Sequence, residues 1–100
     1  MNEETLMMMI LGAGEANRLA ISALGEVRNK NFAKARELLK EASKKSLETH
    51  KIQTELIQRE ASNEKMELGL LTVHAQDHLM NAILVIDLVE ELIDVFEAYV

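Results

Sequence analysis

An all-α chain of three antiparallel helices, associated with copies of itself, is the fold class this sequence predicts, and three observations predict it. Proline is absent and only four glycines occur in 100 residues, so nothing forces a long helix to break. Apolar and alanine positions recur at three- and four-residue spacing almost from end to end. The last third of the chain is apolar nearly all round. Thirteen of the eighteen residues from Leu79 to Phe96 are hydrophobic, more than two neighbouring helices of the same short chain can cover. The length allows a single domain, 1–100, and a chain this small buries a modest share of its surface unless it assembles.

The first helix, over about residues 3–28, carries a stripe of Leu6, Ile10, Ala13, Asn17, Ala20, Leu24 and Val27, beside Met9, Ala16 and Ala23. Arg28-Asn29-Lys30-Asn31 ends it, because asparagine side chains compete for backbone hydrogen bonds, and Asn31 is placed to cap the next helix. The second helix, over about 32–60, has Phe32, Ala35, Leu39 and Ala42 on its apolar side, continuing to Leu56 or Ile57. Its other faces hold Lys34, Arg36, Glu37, Lys40, Glu41, Lys44, Lys45 and Glu48, a solvated surface with charge pairs one turn apart. At Ala61-Ser62-Asn63 the pattern breaks again, and Ser62 or Asn63 can cap a third helix over about 64–98. Short connections set neighbouring helices antiparallel. In the third helix Leu68, Leu71, Ala75, His78, Ala82, Val85, Val89, Leu92, Phe96 and Tyr99 form an unbroken stripe, with Leu79, Met80, Ile83 and Ile86 on the opposite side.

Composition removes several function classes. Eleven Lys and Arg against seventeen Asp and Glu leave a net charge of −6, which argues against a nucleic-acid partner. Without cysteine there are no disulfides, iron–sulfur clusters or thiol chemistry. No apolar run reaches the roughly 18 residues of a membrane span. The opening Met1-Asn2-Glu3-Glu4 lacks the basic region of a signal peptide, so a soluble cytoplasmic protein without membrane insertion is expected.

One polar cluster interrupts the apolar third helix. At about 100° per residue, His74, Asp77, His78 and Asn81 share one arc, which continues as Leu84, Val85, Leu88 and Leu92. Polar groups on such a face cost several kcal/mol when buried without partners, so function is the economical explanation. Histidines four residues apart fit one half of the zinc-protease helix, but that motif needs a glutamate after the first histidine, where Ala75 stands. Gly12-Ala13-Gly14 has no preceding strand and fits close helix packing better than a nucleotide loop. Met7-Met8-Met9 fits an adaptable core or interface, and His50 fits an ordinary surface histidine. Two readings of the cluster stay open on chemistry alone. One is phosphoryl transfer, with His74 as nucleophile and His78 one turn away as donor or orienter. The other is a polar layer that sets the register of a non-enzymatic oligomeric adaptor, including a variant in which both histidines and Asp77 hold one divalent ion. Asp77 fits the first reading only if it points away from the phosphate, toward a cation or a symmetry axis.

The stretch Leu70-Leu71-Thr72-Val73-His74-Ala75-Gln76-Asp77-His78-Leu79-Met80 closely resembles the active-site helix of the lactose/cellobiose (N,N′-diacetylchitobiose) class of enzyme IIA of the bacterial sugar phosphotransferase system. Met7-Met8-Met9-Ile10-Leu11-Gly12-Ala13-Gly14-Glu15-Ala16 resembles that family's first helix. Phe32-Ala33-Lys34-Ala35 and His50-Lys51-Ile52-Gln53-Thr54-Glu55-Leu56-Ile57 resemble its second. The resemblance implies a homotrimer, hence a nine-helix bundle. It implies that His74 is the phosphoryl acceptor, becoming a tele-phosphohistidine, charged by the phosphocarrier HPr and discharged to the cognate enzyme IIB during uptake of a disaccharide. It implies that Asp77 from each subunit meets at the three-fold axis around a divalent cation; oxygen-only ligation suits a hard ion such as magnesium. His78 is assigned a supporting role beside His74, and Gln76, on the other side of the helix, a role in subunit contacts.

Overall fold

The computed structural model describes residues 3–66 and 68–100. Helix α1 spans Glu3–Val27, α2 Phe32–Ala61 and α3 Leu70–Tyr99, and no strand occurs among the described residues. The helices lie side by side in a rod of 52 × 20 × 18 Å.

The first two helices end by the same device. At the end of α1 the Asn31 amide donates to the Glu26 carbonyl (3.1 Å) and the Lys30 amide to that of Val27 (2.9 Å), with Lys30 left-handed at φ 58°. At the end of α2 the Glu64 amide donates to Arg59 (3.2 Å) and the Asn63 amide to Glu60 (3.1 Å), with Asn63 at φ 67°. This paired closure satisfies carbonyls that a helix terminus otherwise leaves bare. Asn31 does stand at the N-cap of α2, but its side chain does not cap. It donates instead to Glu26 Oε2 at 3.0 Å, while its carbonyl accepts the Ala35 amide at 2.9 Å.

The second junction corrects the expected boundary. Ser62 and Asn63 close α2 and do not open α3, which begins at Leu70 and not near residue 64. Left-handed Asn63 turns the chain out of the helix, and Gly69, at the N-cap, is extended at φ −116° and ψ 177°. Arg59 grips Glu64 at 2.6 Å, holding that carboxyl below its usual range, and Met66 packs on the core.

Small residues of α1 bring the helices together. Ala13, Ala16, Ala20 and Ala23 are fully buried with Met9, so both other helices approach the α1 backbone closely. Gly12 belongs to this contact: a Cβ there would overlap the Thr49 hydroxyl, which donates to the Lys45 carbonyl at 3.0 Å. Nothing lies near Gly14, so close packing explains Gly12 alone. From α2, Ala35, Leu39, Ala42, Ser46, Thr49, Gln53 and Leu56 turn inward, whereas Ile57 is 58% exposed. Ala75, Leu79, Ala82, Ile86, Val89 and Ile93 turn inward from α3. That face is rotated by roughly 60° from the stripe read in the sequence. Leu79 and Ile86, expected opposite it, are in the core, and Phe96 and Tyr99 are exposed.

Ion pairs fix the direction of packing. Arg36 near the start of α2 reaches Asp94 (3.0 Å) and Glu97 (2.6 Å) near the end of α3, and Lys45 reaches Glu15 of α1 at 3.4 Å. Thr49 lies against Gly12 while Lys45 meets Glu15, so numbering runs opposite along that seam too, and adjacent helices in sequence are antiparallel. The ion-paired side chains are all substantially exposed, so they contribute orientation more than stability.

Candidate functional site

With Ala75, Leu79 and Ala82 committed to the core, helical rotation turns His74, Asp77 and Asn81 outward. All three are exposed, and His78 is half-buried at the edge of the face. The same side continues as Leu84, Leu88, Leu92 and Val95, which the rest of the chain leaves bare. Around His74, Leu70, Leu71, Val73 and Asp77 line a shallow depression. Leu70 is 90% exposed and Val73 54%, so the imidazole sits inside an apolar collar open to another protein.

The two histidines are in direct contact. His74 Nε2 and His78 Nε2 lie 3.0 Å apart, with ring centroids at 4.3 Å and planes nearly perpendicular. One imidazole must donate and the other accept, which fixes the proton positions of both rings relative to one another. The late start of α3 matters here. His74 is the fifth residue of the helix, and its side chain leans back over the N-terminal turn, where backbone amides favour a negative group. Thus the site offers a nucleophilic nitrogen, a hydrogen-bond donor one turn away and a positive helix end.

Asp77 lies on the bare face without a hydrogen bond or ion pair to any described residue. Its carboxylate is thus available to a ligand or to other subunits. Among the described residues no three His, Cys, Asp or Glu side chains converge within one chain to hold a metal, so a single ion held jointly by His74, His78 and Asp77 finds no support. Gln76, expected at subunit contacts, also has a partner inside its own subunit. It is half-buried and accepts a hydrogen bond from Gln53 Nε2 of α2. Sequence reasoning passed over Gln53; its only signal was spacing, four residues after Thr49 and three before Leu56 on the inward side of α2. His50 is exposed in a separate groove with Ser43, Leu47, Ile83 and Asp87. No helix of the described residues is long and apolar enough to cross a membrane.

Comparison with known proteins agrees with this geometry. The family described as "PTS system, Lactose/Cellobiose specific IIA subunit" matches residues 4–97. The lichenan-specific phosphotransferase enzyme IIA component of Bacillus subtilis is 42% identical over 95 residues, which cover 95% of this chain and 86% of that protein. The crystal structure of the cellobiose-specific enzyme IIA from Bacillus anthracis superposes with a TM-score of 0.92 at 43% identity, over 96% of this chain and 88% of that one. The solution structure of the Escherichia coli IIA(Chitobiose)–HPr complex gives a TM-score of 0.83 at 38% identity, over 96% of this chain and 93% of its counterpart.

Proposed function

The chain belongs to the lactose/cellobiose-specific IIA family of the phosphotransferase system, and from that premise we propose that it carries a phosphoryl group on His74, taken from HPr and handed to a cognate enzyme IIB. The carrying observation is the exposed His74 within 3.0 Å of His78, inside an apolar collar, on a chain of this family. A complex with HPr is known for the similar chitobiose protein, which supports HPr as donor.

In the proposed reaction, His74 Nε2 attacks the phosphorus of phosphohistidine on HPr. The P–N bond to HPr breaks as the bond to Nε2 forms, leaving a tele-phosphohistidine on His74 and a free imidazole on HPr. For this, His74 holds its proton on Nδ1 and accepts from His78 Nε2–H at rest. His78 then turns the same donor to a phosphoryl oxygen. The second transfer repeats the displacement toward a nucleophile of enzyme IIB. In the first transfer one imidazole nitrogen replaces another, so catalysis is mostly alignment, which the collar provides by docking each partner in turn.

The bare stripe of Leu84, Leu88, Leu92 and Val95 supports assembly about α3 as a homotrimer, a cytoplasmic nine-helix bundle. In that trimer three Asp77 carboxylates meet at the axis, and an unpartnered carboxylate from each chain fits an oxygen-only site for a hard cation such as Mg2+. Held there, such an ion would offset two of the three negative charges.

Purified chain with enzyme I, HPr and labelled phosphoenolpyruvate tests the reading. Acid-labile label should map to the peptide holding His74 and His78 and be absent from His74→Ala. If the His74→Ala protein still takes label, the nucleophile is assigned wrongly. A wild-type chain inert to active HPr would leave the polar cluster with a structural role.

A further inference from the structure

We propose that Gln53 of α2 is a positioning residue for the His74 site: its buried side-chain amide holds Gln76 inward and so sets the outward facing of His74, Asp77 and His78. The proposal rests on the phosphoryl-carrier reading of that site.

Among the described residues three polar side chains are buried, Ser46, Thr49 and Gln53, all on α2. Thr49 is satisfied by the Lys45 carbonyl of its own helix. Gln53 instead reaches across to α3, where Nε2 donates to Gln76 Oε1 and lies 3.9 Å from Met80 Sδ. An apolar residue would fill the same space without any amide to satisfy, so stability alone does not account for glutamine here. Direction does. Apolar side chains tolerate a small rotation of one helix against another, whereas an amide pair has one geometry.

The rotation of α3 needs such a constraint. Along the middle of their seam α2 and α3 leave an open groove lined by Ser43, Ser46, Leu47, Ile83 and Ile86, so side-chain packing constrains their angle less there. Moreover, α3 carries apolar residues on both its inner and its outer faces, and hydrophobicity alone separates the two settings weakly. Gln76 follows His74 by two residues, about 200° around the helix. Held against Gln53, it leaves His74 pointing the opposite way. Burial of Ala75, Leu79 and Ala82 selects the inner face, and this hydrogen bond then fixes its angle and with it the heading of His74.

The test uses the full chain with Gln53→Met, Gln76→Met and the double variant. Three quantities are measured: the initial rate of phosphoryl uptake from HPr, thermal unfolding, and the imidazole 15N signals of His74 and His78. Each single variant should stay folded, transfer roughly ten- to a hundred-fold more slowly, and show altered ring signals. The double variant should be no slower than either single one, because both remove the same bond. Wild-type rate and ring signals in Gln53→Met would overturn the proposal, as would a rate loss that only tracks unfolded protein. Should Gln53→Met fail to fold, Gln76→Met carries the same test from a half-buried position. A wild-type chain that takes no phosphate defeats the carrier reading alone, since the ring signals report the positioning independently.

Discussion

Helix α3 has two apolar faces with opposite fates. Ala75, Leu79, Ala82, Ile86, Val89 and Ile93 are covered by the chain itself, while Leu84, Leu88, Leu92 and Val95 remain between 38% and 57% exposed. Hydropathy does not separate them. Size does: alanine recurs on the inner face, where α1 comes close with its own alanines, and leucine dominates the outer one. The polar groups also divide. Asp77 and Asn81 interrupt the outer face, whereas on the inner side the amide pair from α2 is buried in the seam and the Arg36 ion pairs lie exposed at its far end. One face makes the subunit; the other, left bare by the chain, carries His74 and Asp77.

The most forceful way to break this comparison is to cut one leucine from each face. Leu79→Ala should lower subunit stability by about 2–5 kcal/mol, since Leu79 is fully buried. Leu88→Asp should leave helix content intact yet dissociate the assembly, read by sedimentation velocity. Sedimentation at the wild-type rate would mean the outer face is no interface. A smaller effect sharpens the polar half of the contrast. Asp77→Leu should keep the assembly, raise its unfolding temperature by a few degrees and remove any dependence on Mg2+, because in the proposed trimer three carboxylates would no longer need neutralising. A monomeric Asp77→Leu protein would show that the ion holds the trimer together. The slightest change is Arg36→Gln, which unties α2 from Asp94 and Glu97 at the far end of the inner face. Its unfolding midpoint should fall marginally in low salt and match wild type in high salt.

Much of this was legible in the residues. Helical spacing and the two asparagine-bearing breaks located three helices, and His74, Asp77 and His78 stood out as polar groups on an apolar surface. What could not be read has physical causes. Periodicity marks faces but not their partners, so with both sides of α3 apolar the inward one was misplaced by a fraction of a turn. The true start of α3 is hidden because Glu64, Lys65 and Met66 are good helix formers, held out of the helix by left-handed Asn63, the Arg59–Glu64 pair, Met66 on the core and extended Gly69. Gln53 was missed because a glutamine amid charged helix surface looks solvated until its neighbour across the seam is known.

The rod shape of the subunit carries its own consequence. With a radius of gyration of 15.7 Å, the chain is more extended than a compact body of 100 residues, near 13 Å. A single rod offers its reactive flank to only part of the approaching partners. In the proposed trimer, three rods bound along their lengths would make a more nearly isometric particle with a reactive flank on every side. A tumbling partner would then meet a site whichever way it arrives, so assembly would widen the target for encounter as well as cover bare leucines.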